Sequence, residues 1–170
     1  MKNIFLYYPG LVFLLLVQVS CGPQGQEEGL LDEGRALMTE GAVEPAVELF
    51  SRALAAGESP VEVFSERGKA YLSLGRLAEA IGDFSAVTSL DPENSEAHYQ
   101  LGVVMERKGD LEGALTSRLE GLPYHPNNPW SHHAVGVYAQ ELGRHEEALA
   151  ALHRAAELAP NVGPILRDLA

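Results

Sequence analysis

The amino-acid sequence predicts an all-α fold: a solenoid of about four helix–turn–helix repeats that ends in a short capping helix. Apolar residues recur at spacings of three and four, the period of one face of an α-helix. Glycine interrupts this period within each unit and proline ends it. The units also repeat without a gap at a step of 34 residues, which is typical of stacked-repeat proteins. Four columns show the step: Gly34, Gly68, Gly102 and Gly136; Gly41, Gly75, Gly109 and Gly143; Ala46, Ala80, Ala114 and Ala148; Pro92, Pro126 and Pro160.

The second unit carries the full pattern, in the order of an aromatic residue, glycine, tyrosine, alanine, an aromatic residue and proline. It resembles the tetratricopeptide repeat, a helix–turn–helix unit of this length. Arg67 stands where that family has leucine, and in the third unit Arg118 stands where it has an aromatic residue. The matching residues of the second unit are Phe64, Gly68, Tyr71, Ala80, Phe84 and Pro92.

The resemblance implies a right-handed superhelical solenoid over residues 29–162. Its repeats span about 27–60, 61–94, 95–128 and 129–162, and a partial capping helix spans 163–170. Within each hairpin we expect the column of Gly68 to face the column of Ala80, so that the two helices approach closely. Gly121 and Pro123 should end the second helix of the third repeat early.

Residues 1–20 precede the repeats and read as a signal peptide, because Lys2 is followed by an apolar run too short for a membrane-spanning helix. Cys21 ends this run, and 21–28 form a polar tether. The segment resembles a bacterial lipoprotein signal, which implies lipidation of Cys21, although Gln18 departs from the usual apolar residue. The alternatives are an ordinary cleaved signal with an incidental cysteine, or an uncleaved anchor.

This resemblance also predicts the location of the protein. A lipid anchor at Cys21 places it in the cell envelope, and Gly22 favours the outer membrane, facing the periplasm. A periplasmic or secreted protein is the alternative. The net charge of −12 argues against nucleic acid as a partner and against direct docking on anionic lipid. The acidic residues form either a solvated surface or a surface that steers a basic partner.

Motifs for catalysis are missing from the sequence, which has no phosphate-binding glycine loop, no nucleophile elbow and no paired cysteines. We therefore predict no enzyme, no cofactor and no small-molecule substrate. Two interpretations of the histidines stay open: packing positions between helices, or a metal site that would make the chain a metal-dependent enzyme. The histidines are His98, His125, His132, His133, His145 and His153.

Arg118 also has two interpretations. It either extends to a nearby acid and forms a salt bridge, or presents its guanidinium to a ligand beside Pro123.

Function is then expected from a surface, and in the family the first helix of each pair lines a concave groove. We predict that this groove binds a peptide or helix of another protein, as a membrane-tethered scaffold or assembly factor. The alternative is a self-associating envelope module, a homodimer joined through the apolar end at Ile165, Leu166 and Leu169. The groove residues are Leu31, Arg35, Met38, Ser65, Lys69, Leu72, Tyr99, Val103, Glu106, Trp130, His133, Val137 and Gln140.

Overall fold

The computed structural model describes residues 29–169, and it confirms the all-α solenoid. Consecutive helices pack on one another in chain order, and the first helices α1, α3 and α5 also contact their neighbours in the stack. The helices are α1 (Leu30–Glu40), α2 (Val43–Ala56), α3 (Pro60–Ser73), α4 (Leu77–Leu90), α5 (Ser95–Lys108), α6 (Leu111–Gly121), α7 (Pro129–Glu141), α8 (His145–Leu158) and α9 (Gly163–Leu169). The predicted signal peptide, Cys21 and the tether lie outside the described residues.

The turns inside the four hairpins depend on one glycine column. Gly41, Gly75, Gly109 and Gly143 have φ angles of 81°, 70°, 82° and 74°. This left-handed backbone conformation is open to glycine at little cost, and it lets a helix end with its last carbonyls bonded. The 34-residue step at these positions therefore reflects a repeated backbone requirement.

The second glycine column allows the two helices of each hairpin to nest. A Cβ at Gly34 would lie 2.7 Å from Phe50 Cδ1, and a Cβ at Gly68 would lie 3.0 Å from the ring of Phe84. Each large side chain follows its glycine by 16 residues and occupies the space that a Cβ would need. Both phenylalanines are buried. The same contact recurs as Arg118 over Gly102 and Leu152 over Gly136.

This contact corrects the expected pairing of small residues. We expected Gly68 to face Ala80 across the hairpin, but the residue that fills its Cβ space is Phe84. Ala80 is buried and contributes to the same hydrophobic cluster. Close approach of the helices was therefore correctly predicted, while the partner was wrong, because the glycine receives a large side chain from one turn further along the second helix.

The third hairpin ends early, as predicted. Helix α6 stops at Gly121, and a 3₁₀ turn, Leu122–Tyr124, follows it. A Cβ at Gly121 would lie 2.7 Å from the Cβ of His98, so only glycine fits against α5 at this point. The shortened α6 leaves a gap between the third and fourth repeats.

The C-terminal helix α9 packs on α8. Ile165 is fully buried there, so it belongs to the core and is not available for self-association as we had predicted. Burial of Ile165 against the last hairpin offsets the weak intrinsic stability of so short a helix. Leu166 is 43% exposed and Leu149 on α8 is 52% exposed, so part of this end does remain apolar and open.

Within residues 29–169, no helix has the length and hydrophobicity needed to cross a bilayer.

Gly34→Ala and Gly82→Ala form a matched pair of substitutions inside helices. A Cβ at Gly34 would meet the ring of Phe50, whereas nothing lies within 4 Å of a Cβ at Gly82. We expect Gly34→Ala to lower the free energy of unfolding by about 1–3 kcal/mol through overpacking. Gly82→Ala should raise it by up to about 1 kcal/mol, because alanine favours the helix. Urea unfolding measures both, and equal effects would contradict this packing.

Candidate partner-binding groove

The predicted groove residues lie on the first helices of the four hairpins, α1, α3, α5 and α7. Glu106, Trp130 and Gln140 are exposed, and most of the others are half-buried. Leu31 and Leu72 are only 7% and 8% exposed and belong to hydrophobic core clusters. The half-buried set is Arg35, Met38, Ser65, Lys69, Tyr99, Val103, His133 and Val137.

Polar links join each first helix to the next. Arg35 Nη2 donates to Glu62 Oε2 at 3.1 Å, which connects α1 to α3. Arg107 Nη1 donates to the carbonyl of Leu72 at 3.2 Å, which connects α5 to α3. The carbonyl of Leu72 therefore links α3 to α5, although its side chain is buried.

The links continue toward the C-terminus. Tyr138 donates its hydroxyl proton to Glu106 Oε2 at 2.5 Å, and His133 Nε2 lies 2.8 Å from Asp168 Oδ2. The first joins α7 to α5 and the second joins α7 to α9. With the two links nearer the N-terminus, they connect α1, α3, α5, α7 and α9 in that order. These bonds help to fix the spacing of the helices that carry the predicted groove residues.

Tyr138 makes the link between α5 and α7 from a buried position. Its side chain is buried and its hydroxyl bonds to a carboxylate. Burial first, and then the hydrogen bond to Glu106, raise the pKa of Tyr138 to about 12, although the nearby positive charge of Arg118 opposes the shift. The phenol therefore remains a neutral donor, and it holds Glu106 in place.

Arg67, which is half-buried, forms an ion pair with the buried Asp83 that we did not predict from the sequence. Its Nε and Nη2 donate to the two carboxylate oxygens of Asp83, both at 2.8 Å, and its Nη1 donates to Ser51 at 3.1 Å. This bidentate geometry neutralises an arginine at a site where the family has leucine. The 16-residue separation of Arg67 and Asp83, equal to that of Gly68 and Phe84, was the signal that could have predicted the pair.

Arg118 has no such partner. Its side chain is 4% exposed, and its guanidinium carbon lies 3.7 Å from the ring centroid of Tyr99. Among residues 29–169, neither its Nε nor its Nη1 has a hydrogen-bond partner. The predicted salt bridge to a nearby acid is therefore wrong, and a cation–π contact with Tyr99 takes its place.

The histidines make individual contacts. His98 Nε2 donates to the carbonyl of Pro92 at 3.0 Å, and His132 Nε2 donates to the carbonyl of Pro126 at 2.9 Å. These equivalent bonds tie the first helix of a repeat to the proline that closes the preceding one. The ring of His133 also packs edge-to-face against that of Trp130, with the two ring centroids 6.1 Å apart. In the part of the chain that is described, no three potential metal ligands come together.

Two family models match the chain, described as "TPR repeat" over residues 68–109 and "Tetratricopeptide repeat" over 131–162. A solved structure of MamA AMB-1 is 30% identical, with a TM-score of 0.69 over 85% of each chain. Another MamA structure is 19% identical, with a TM-score of 0.75 over 88% of this chain and 84% of that one. YrrB, described as a TPR protein with an unusual peptide-binding site, is 21% identical, with a TM-score of 0.73 over 84% and 73%. No curated protein sequence matches the chain.

The raised pKa of Tyr138 makes stability depend on pH in the alkaline range. A tyrosine in the unfolded chain ionises near pH 10, whereas Tyr138 in the folded chain ionises at about 12. Its contribution is therefore fully present below about pH 10 and is lost as pH rises from about 10 to about 12. The free energy of unfolding of Tyr138→Phe should lack this dependence on pH. The difference between the two absorbance titrations at about 295 nm should show one tyrosine with its midpoint near 12; a midpoint near 10 would contradict the environment described.

Proposed function

Since the chain belongs to the tetratricopeptide-repeat family, we propose that it is a non-catalytic scaffold or assembly factor whose concave groove binds a peptide or helix of another protein. Proteins built from these repeats are generally interaction modules, and neither family model that matches the chain is that of an enzyme. YrrB, which shares the fold, is described with a peptide-binding site. An extended or helical polypeptide is thus the occupant that we propose for this groove.

The observation that carries the proposal is the single continuous face formed by the first helices. Its polar links bond helix to helix and leave a mixture of aliphatic, aromatic and polar side chains half-buried on the same side. Half-buried side chains on a rigid surface lose little conformational entropy when a partner covers them. The groove is therefore preorganised for binding.

We further propose that the chain is tethered to a membrane through a lipid on Cys21 and works in the cell envelope, at the outer membrane facing the periplasm. The support is the sequence alone: an apolar run of signal-peptide length that ends in the single cysteine. A tether over residues 21–28 spans at most ~28 Å at about 3.5 Å per residue, so the groove would lie close to the bilayer.

Photo-crosslinking tests the groove. A benzophenone amino acid at Gln140, which is exposed on α7, should capture a partner protein in intact membranes. The matched control places the same probe at Gly82 on α4, where nothing lies within 4 Å of a Cβ, so the fold tolerates it. We expect adducts from Gln140, loss of these adducts when Val137→Asp is added, and few from Gly82.

Equal capture from both positions would contradict a groove on the first helices. An adduct that consists of two copies of this chain would instead favour the self-associating module. The exposed Leu149 and Leu166 are the surface that favours this alternative.

Cys21→Ala tests the tether. If a lipid on Cys21 holds the chain, the variant should leave the membrane fraction and appear in the soluble fraction once its signal is removed. Metabolic labelling with a fatty acid should mark the parent chain and not the variant. A processed variant that stays with the membranes would contradict the lipid anchor, and would leave the groove proposal to be decided by crosslinking.

A further inference from the structure

A polar cavity of about 100 Å³ lies between the start of α5, the end of α6 and the start of α7. It occupies the gap that the early end of α6 at Gly121 leaves between the third and fourth repeats. Tyr99 and Arg118 line it, together with the polar side chains of Ser95, Asn128 and Ser131. Tyr99 also belongs to the predicted groove, so the cavity adjoins that face.

Arg118 brings an uncompensated positive charge to this cavity. Among the residues described, its Nε and Nη1 are both buried without a hydrogen-bond partner. Glu106 accepts the hydroxyl proton of Tyr138 and makes no hydrogen bond with either of these nitrogens. Arginine stays charged in proteins, and a buried unpaired charge is costly. Such a cost is relieved by an anion that accepts from the guanidinium.

The half-buried Arg67 shows what compensation of an arginine looks like in this fold. Its guanidinium donates to both oxygens of Asp83 within its own hairpin and to Ser51 on α2 of the preceding hairpin. In the third repeat, Leu101 and Ser117 stand at the places of Arg67 and Asp83, so this ion pair does not recur there. Arg118 stands at the place of Phe84, and among the described residues its Nε and Nη1 have no partner.

We propose that the cavity at Arg118 binds a carboxylate of the partner polypeptide, either its C-terminal group or an aspartate or glutamate side chain. This inference rests on the proposed function, and it names the chemistry that anchors the partner. A carboxylate takes up two hydrogen bonds of a guanidinium in a planar fork. The ring of Tyr99 lies against the guanidinium, 3.7 Å from its carbon, and both residues line the cavity.

The charges around the cavity favour a carboxylate over a phosphate group. One arginine balances one negative charge, while a phosphate carries nearly two. Glu96 also lines the cavity, and its negative charge repels a doubly charged phosphate more strongly than a singly charged carboxylate. The neutral side chains of Ser95 and Ser131 add hydrogen-bonding groups without adding charge. The N-terminal ends of α5 and α7, at Ser95 and Pro129, contribute a modest positive potential.

The test uses the full-length chain, purified in a non-ionic detergent and labelled with ¹⁵N at arginine. Four probes are titrated against the Nε–H resonances: sodium acetate, sodium phosphate, sodium chloride, and an acetylated tetra-alanine with a free C-terminus. Two further peptides separate the sources of the carboxylate: the amidated tetra-alanine, and an amidated version with one glutamate. Arg67, already bonded to Asp83, is the internal reference.

We expect acetate and the free-carboxylate peptide to shift the Arg118 resonance saturably, with phosphate weaker and Arg67 unchanged. In the fourth repeat, Leu152 packs over Gly136 at the place where Arg118 packs over Gly102. Arg118→Leu should therefore keep this packing, but it should weaken carboxylate binding about tenfold or more. Arg118→Lys keeps the charge without the fork and should bind with intermediate affinity. Tighter binding of the peptide with the free C-terminus would identify a C-terminal carboxylate as the source. Tighter binding of the amidated glutamate peptide would identify an acidic side chain.

Three results would overturn the site: a shift with acetate no larger than with chloride, phosphate saturating at lower concentration than acetate, or Arg118→Leu binding the free-carboxylate peptide as tightly as the parent. None of the probes fills the groove. Failure here together with successful crosslinking from Gln140 would therefore reject this site alone, and the groove proposal would stand.

Discussion

Each hairpin of this solenoid depends on one contact, in which a large side chain of the second helix fills the space of a missing Cβ on the first. Phe50 packs over Gly34 and Phe84 over Gly68, and both rings are buried. Close-packed interiors tolerate little change in volume at such a point. Because the contact recurs at every repeat, it sets how deeply the helices nest, and hence where the first helices stand relative to one another.

The third repeat uses the same contact for a second purpose. The stem of Arg118 lies over Gly102 as a phenylalanine would, so the hairpin keeps its packing. The guanidinium extends past that stem to stack on Tyr99 beside the cavity left by the short α6. One substitution in the repeat thus converts a packing position into a charged one. Tyr99 belongs both to the cavity lining and to the predicted groove, so the two proposed sites adjoin.

Much of the fold could be predicted from the sequence, because glycine and proline recur at fixed places for backbone reasons. The positive φ angle at Gly75 is a requirement of the local backbone, so a local sequence pattern predicts it. Partners across the hairpin were harder to predict: Phe84 for Gly68, and Asp83 for Arg67. These pairs depend on the crossing of two helices, which spacing along one helix does not define. The burial of Leu72 was missed for the same reason, since α3 packs on both its neighbours.

The measurement that tests this account most directly is a double-mutant cycle between Gly34 and Phe50, followed by urea unfolding. If the ring of Phe50 occupies the Cβ space, Gly34→Ala should destabilise the parent chain and should be nearly neutral, or stabilising, once Phe50→Ala has removed the ring. The coupling should exceed about 1 kcal/mol, as for residues in direct contact. Effects that add to within about 0.5 kcal/mol would contradict the contact on which the hairpins depend.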